Sequence, residues 1–159
     1  MSKQKVKIIL YDSYIKAIQN SVGCNLFRNL YAYVNNRKQD IARDGELSCA
    51  LYTSSILVLF KLISERHATT DGLIRDLKKS GWISIKKPRK GAVLVWEERK
   101  VKGKKPHKHV GFYIGNSKAI SNSYLKRRPV LHHWIFGVKT GKPVRKIEQI
   151  FWNNKLKAF

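Results

Sequence analysis

The stretch His109–Tyr124, "HVGFYIGNSKAISNSY", decides the fold of this chain. Residues 109–115 alternate as a strand does, and "KAISNSY" (118–124) forms a second run of the same kind. Between them stand Asn116 and Ser117, both turn formers, so the two runs predict an antiparallel hairpin. His109 opens the first strand and sets an imidazole at the end of a sheet.

Reading outward, "WISIKKP" (82–88) and "GAVLVWEE" (91–98) are short, β-branched and aromatic, bounded by Pro88, Gly91 and a basic loop, and predict two more strands. "PVLHHWIFGV" (129–138) predicts a further strand starting after Pro129, and "VRKIEQIFW" (144–152) fits either a strand or a terminal helix. Upstream the texture is helical. Leu26, Phe27, Leu30, Tyr31, Val34 and Ile41 follow a 3.6-residue period and predict an amphipathic helix over about 24–43, after a shorter one near 12–20. Gly45 ends it. The run "SCALYTSSILVLFKLISER" (48–66) is apolar on nearly every face between Ile56 and Ile63, which predicts a helix buried in the domain. Thr70 or Asp71 would cap another helix that ends at Gly81.

Helices followed by strands predict an α+β fold, with N-terminal helices packed on a C-terminal antiparallel sheet. At 159 residues and 43% hydrophobic content, one domain is expected: a helical extension over 1–45, a core over 46–125 and closing strands over 126–159. No segment approaches the roughly 18 apolar residues of a membrane span, and the N-terminal "MSKQKVKIILYDSY" is too short in its apolar part for a signal peptide. A cytoplasmic monomer is expected, unless a non-classical route exports or releases it. Its two cysteines, Cys24 and Cys49, read as free thiols.

Charge is the strongest compositional signal: 33 Lys and Arg against 10 Asp and Glu give +23, a field that attracts polyanions. The basic residues are densest in "RKVKGKKPHK" (99–108), six in ten residues, immediately before His109. Lys102, Lys104 and Lys105 of this loop, together with His133, are the expected substrate-binding residues.

Cys49 follows Ser48, a good N-cap, and so falls in the first turn of the buried helix, where unpaired backbone N–H groups favour a thiolate. A Cys opening a central helix, the strand "KKPRKGAVLVW" (86–96), "HVGFYIG" and then a short polar strand resemble the NlpC/P60 and CHAP group of papain-like cysteine peptidases and amidases. The resemblance covers about 48–124. It implies a papain-like core, Cys49 as nucleophile, His109 as general base, and a polar residue on the next strand to orient the imidazole. A gap-free count reaches Ser121, whereas an amide oxygen is the better acceptor and favours Asn122, with a bulge at the turn. Only one of these neighbours can face His109. Three positions depart from the family pattern: Ser48 where many members have Asp, Leu51 where Gly is frequent, and Ala92 after Gly91 where Asp is common. Tyr33 and Tyr52 are the candidates for the tyrosine that assists the oxyanion in some members.

His107, His109, His132 and His133 invite a zinc reading, but His107 lies among cations and no acidic ligand is near in sequence, so no metal and no cofactor is expected. His132 and His133 must face opposite ways. The expected function is a thiol-dependent amide or peptide hydrolase whose substrate, by the resemblance, is an anionic peptide of the cell wall. The alternative is a nucleic-acid-binding module, with loop 99–108 on phosphates and Trp96, Tyr113 and Trp134 stacking bases. A lipid acyltransferase of the same superfamily would have His before Cys, the reverse of the order here.

Overall fold

The computed structural model describes residues 4–100 and 102–157. The first three residues of the basic N-terminal stretch, Val101 of the basic loop and the last two residues of the closing segment lie outside that description. In chain order the elements are α1 (Leu10–Asn20), β1 (Tyr31–Val34), β2 (Arg37–Asp40), α2 (Cys49–Leu59), α3 (Thr70–Lys79), β3 (Ile83–Ser84), β4 (Val93–Arg99), β5 (His107–Gly115), β6 (Lys118–Ser123), β7 (Arg128–His133), β8 (Val138–Lys139), β9 (Lys142–Pro143) and β10 (Ile147–Trp152). The fold is α+β: β3-β10-β4-β5-β6-β7 form an antiparallel sheet, and α2 packs on β5 and β6.

Alternation along the strands sorts the sheet into two faces. Val93 pairs with Phe112 and Val95 with Val110, and this face carries the core shared with the helices. Tyr14 of α1 and Tyr52 of α2 both set their rings edge-on to Phe112, at 5.9 and 5.7 Å. Trp96 and His109 pair on the opposite face, as do Gly111 and Ser121. The segment "VRKIEQIFW" resolves as strand β10, inserted between β3 and β4. α1 is fastened to the start of β4, where Tyr14 Oη donates to the Gly91 carbonyl at 2.9 Å.

The helix expected over 24–43 does not form, and among the described residues of the stretch 1–45 only α1 is helical. In its place β1 and β2 make a hairpin whose turn residues, Asn35 and Asn36, both have positive φ (50° and 60°). Such a turn suits asparagine and matches strand twist, and this local preference overrides a helical apolar period of which the protein buries Phe27 but leaves Leu26, Tyr31 and Val34 exposed. Tyr31 and Tyr33 stand exposed on the hairpin. Asp40 secures its base by accepting from the backbone N–H groups of Leu30, Ala42 and Asp44. The cap of α3 also shifts by one residue: Thr69, not Thr70 or Asp71, accepts from Gly72 N.

Asp76 of α3 is a structural node. Its carboxylate accepts from Ser64 N, Ser64 Oγ, Glu65 N and Ser80 Oγ, and meets His67 Nε2 at 2.7 Å. Burial opposes its ionisation, yet these donors outweigh burial and hold the carboxyl well below its usual range. The segment after α2 is thereby tied to α3 at Asp76, which also holds Ser80 at the helix C-cap.

Candidate active site

Cys49 is the first residue of α2 and is half-buried. Ser48 occupies the N-cap position but its hydroxyl is buried without a partner and makes no cap bond. Near the sulfur lie the backbone N–H groups of Val110 and Ala50 and the hydroxyl of Thr70, whose proton goes to the Lys108 carbonyl at 3.3 Å, and all three favour the thiolate. Burial is nevertheless the largest influence, and it pushes the thiol above its ordinary 9.0 against these donors and the nearby Arg145 cation. The lowered thiol pKa expected from a helix N-terminus is therefore corrected: desolvation wins, and the resting group is a thiol.

His109 is buried on β5, and its Nε2 lies 2.8 Å from Ser121 Oγ on β6. Ser121 Oγ in turn lies 2.7 Å from His132 Nε2 on β7, and His132 Nδ1 lies 2.8 Å from the His133 carbonyl. These contacts have one consistent direction of donation. A carbonyl only accepts, so His132 Nδ1 carries hydrogen. Burial lowers the pKa of both imidazoles, helped at His109 by Arg145, His132 and His107, so both rest neutral. His132 Nε2 must then accept from the Ser121 hydroxyl, and Ser121 Oγ must accept from His109 Nε2–H. His109 Nδ1 is left as the basic lone pair.

Gly111 makes this chain possible. It sits opposite Ser121, and a Cβ there would come within 2.6 Å of both Ser121 Cβ and the Ile120 carbonyl oxygen. With no side chain at 111, β6 closes on β5 and the serine reaches diagonally to His109 two residues away.

Asn122, the favoured orienting residue from sequence, faces the other way: its Nδ2 donates to the Gly45 carbonyl at 2.7 Å. The bulge in this hairpin falls between Tyr113 and Gly115, beyond the Gly111–Ser121 pair, so it leaves the gap-free register of Ser121 intact. Neither Tyr33 nor Tyr52 approaches the site. Tyr33 is on the exposed face of the hairpin and Tyr52 is wholly buried, bonded to Ser21 Oγ at 2.7 Å.

Cys49, His109, Ser121 and His132 line one cavity of about 800 Å³, together with Thr70, Phe136 and Arg145. Among the described residues no hydrogen bond joins Cys49 to His109 directly. Catalytic contacts in a ligand-free site commonly tighten only around substrate. No family model matches the chain, and no curated protein matches it in sequence.

The charged wall differs from the one anticipated. Lys102, Lys104 and Lys105 are not among the lining residues, and Lys104 is engaged by Glu46 and the Tyr124 hydroxyl. His133 is exposed, and its Nδ1 accepts from Ile135 N and Gly137 N; its neighbour His132 is the one that enters the cavity. Arg145, which no motif singled out, supplies the half-buried cation. Of the aromatics proposed for base stacking, Trp96 is fully buried and donates to the Trp134 carbonyl, while Tyr113 and Trp134 pack edge to face on each other. Among the described residues no three His, Cys, Asp or Glu side chains gather as a metal site, and no helix is long and apolar enough to cross a membrane.

Proposed function

We propose that this protein is a thiol-dependent amide or peptide hydrolase on a papain-like, NlpC/P60-like core, with Cys49 as nucleophile and His109 as general base. The observation that carries the reading is the Cys49 cavity's hydrogen-bond chain, in which His132 and Ser121 hold His109 in the one tautomer that leaves Nδ1 basic. As Cys49 Sγ attacks the substrate carbonyl carbon, its proton passes to His109 Nδ1. The N–H groups in the first turn of α2 have no carbonyl partner within the helix and can hold the oxyanion. His109 returns the proton to the leaving nitrogen, the C–N bond breaks and a thioester remains. Water then gives a proton to His109 and its oxygen to the acyl carbon; the C–S bond breaks, and sulfur recovers the proton as the acid departs.

Resemblance to peptidoglycan-cleaving families makes stem peptides of the cell wall the first substrates to try. A thiol-reactive peptide-amide probe should label Cys49 and not Cys24, and Cys49→Ser should abolish labelling. His109→Ala should slow it by about a hundredfold, within the range that general-base catalysis supplies. Wild type should also cleave muropeptide fragments, with turnover lost in Cys49→Ser. Equal labelling of the two thiols, or turnover that survives Cys49→Ser, would overturn the reading.

A further inference from the structure

Arg145 is held as few surface arginines are. Its Nε and Nη2 donate to the Glu97 carbonyl at 3.0 and 2.9 Å, and Nη2 also reaches the His107 carbonyl at 3.2 Å. Its own backbone N–H donates to the Ile135 carbonyl at 3.1 Å. Two of the three guanidinium nitrogens are thus fixed by carbonyls of β4 and β5 beside the Trp96–His109 pair. Nη1 makes no hydrogen bond among the described residues, and no carboxylate there pairs with the group. Other charges on the cavity lining are committed or lie at its rim: Glu46 with Lys104, Lys108 with Glu148, Arg99 on the Val144 carbonyl, and Asp71 and Glu98 exposed to solvent.

A half-buried cation with no carboxylate in salt-bridge contact is costly to keep: Glu97 attracts it only at longer range, and burial disfavours its charged form. Planarity and fixed anchoring leave one NH₂ edge for a partner of opposite charge. We infer that Arg145 is a specificity-determining residue that receives a carboxylate of the substrate, so that the preferred substrates are peptides with a free carboxylate beside the scissile amide. This rests on the hydrolase reading for the meaning of "scissile", but the binding step can be measured without turnover.

The test uses the full chain carrying Cys49→Ala, titrated calorimetrically at fixed salt with N-acetylated muropeptide stem fragments that end in a carboxylate or in the matching carboxamide. The acid should bind about tenfold or more tightly, the order one charge-assisted hydrogen bond supplies. Adding Arg145→Gln should bring acid and amide to within about threefold, and Arg145→Lys should keep part of the preference because charge remains while the planar fork is lost. Equal binding of acid and amide by the Cys49→Ala protein would overturn the inference without need of an Arg145 variant. A preference that survives Arg145→Gln in a folded protein would overturn it as well. The two readings separate cleanly: a wild type that cleaves acid and amide alike keeps the hydrolase and loses the carboxylate site. An inactive wild type whose Cys49→Ala form still binds acids through Arg145 does the opposite.

Discussion

Two polar clusters meet α3, one beside Cys49 at its first residue, Thr70, and one around Asp76 further along, and they are finished differently. Around Asp76 every oxygen is used: four donors and an imidazole converge on one carboxylate, and the charge is fully hydrogen-bonded. Around Cys49 the bonding stops one step short. The chain from His132 through Ser121 ends on His109 Nε2, the ring's Nδ1 keeps a spare lone pair, and Arg145 keeps an uncommitted Nη1. A saturated cluster stabilises a fold. A cluster with spare valences facing a cavity has capacity left for a substrate.

The sharpest way to break this contrast is Asp76→Ala. It strands Ser64, Ser80 and His67 together, and we expect a stability loss of about 3 kcal/mol or more, lowering the melting temperature by roughly 6–12 °C. The folded fraction should turn over amide substrate normally. A melting curve like wild type's would show that the node is decorative.

Next in size is Ser121→Ala, which removes the link between the imidazoles. We expect kcat to fall about 10- to 100-fold and the acid limb of the pH profile to move, because His109 loses the partner that fixes its tautomer. Asn122→Ala, by contrast, should cost about 1 kcal/mol of stability through the orphaned Gly45 carbonyl and change kcat by less than about threefold. The reverse pattern would return the orienting role to Asn122.

The pH dependence separates the clusters in stages. His109 and His132 have folded pKa values below the unfolded imidazole's 6.5, so the unfolded chain binds protons first and stability declines as pH falls below 6.5. Asp76, depressed from 3.8, contributes stability that is present above that value and is lost as pH falls further. Denaturant midpoints measured from pH 8 to 3 should therefore show two declines, and the lower one should shrink in Asp76→Asn. Activity should hold a plateau between the imidazole and thiol limits, because burial moves His109 down and Cys49 up and so spreads the two apart. A narrow optimum near pH 6 would contradict a neutral resting pair.

The smallest effect is expected from neutralising Lys102 and Lys105 together. Neither lines the cavity and both are exposed, so KM at physiological salt should change by less than about twofold, since exposed charges are screened there over about 8 Å. A larger change would restore the basic loop to the site.

What could be read from sequence follows the range of the forces involved. The β5–β6 hairpin was legible because its alternation and turn residues are local, and the cavity residues Cys49 and His109 were singled out with it. A gap-free count reaches Ser121, while acceptor strength favours Asn122; Gly111, small and directly opposite Ser121, is the sequence signal that register prevails. The β1–β2 hairpin announces itself only in Asn35–Asn36, against an apolar period that fits a helix. Arg145 belongs to no motif, and its position depends on two carbonyls 38 and 48 residues away, a pairing that needs the completed sheet.

The raised pKa of Cys49 has a consequence for the lifetime of the protein. Peroxides oxidise thiolates far faster than thiols, and each step beyond sulfenic acid is hard to reverse. Packing that keeps the sulfur protonated between turnovers therefore shields it from oxidants, so that the same desolvation which slows its ionisation also preserves it from damage.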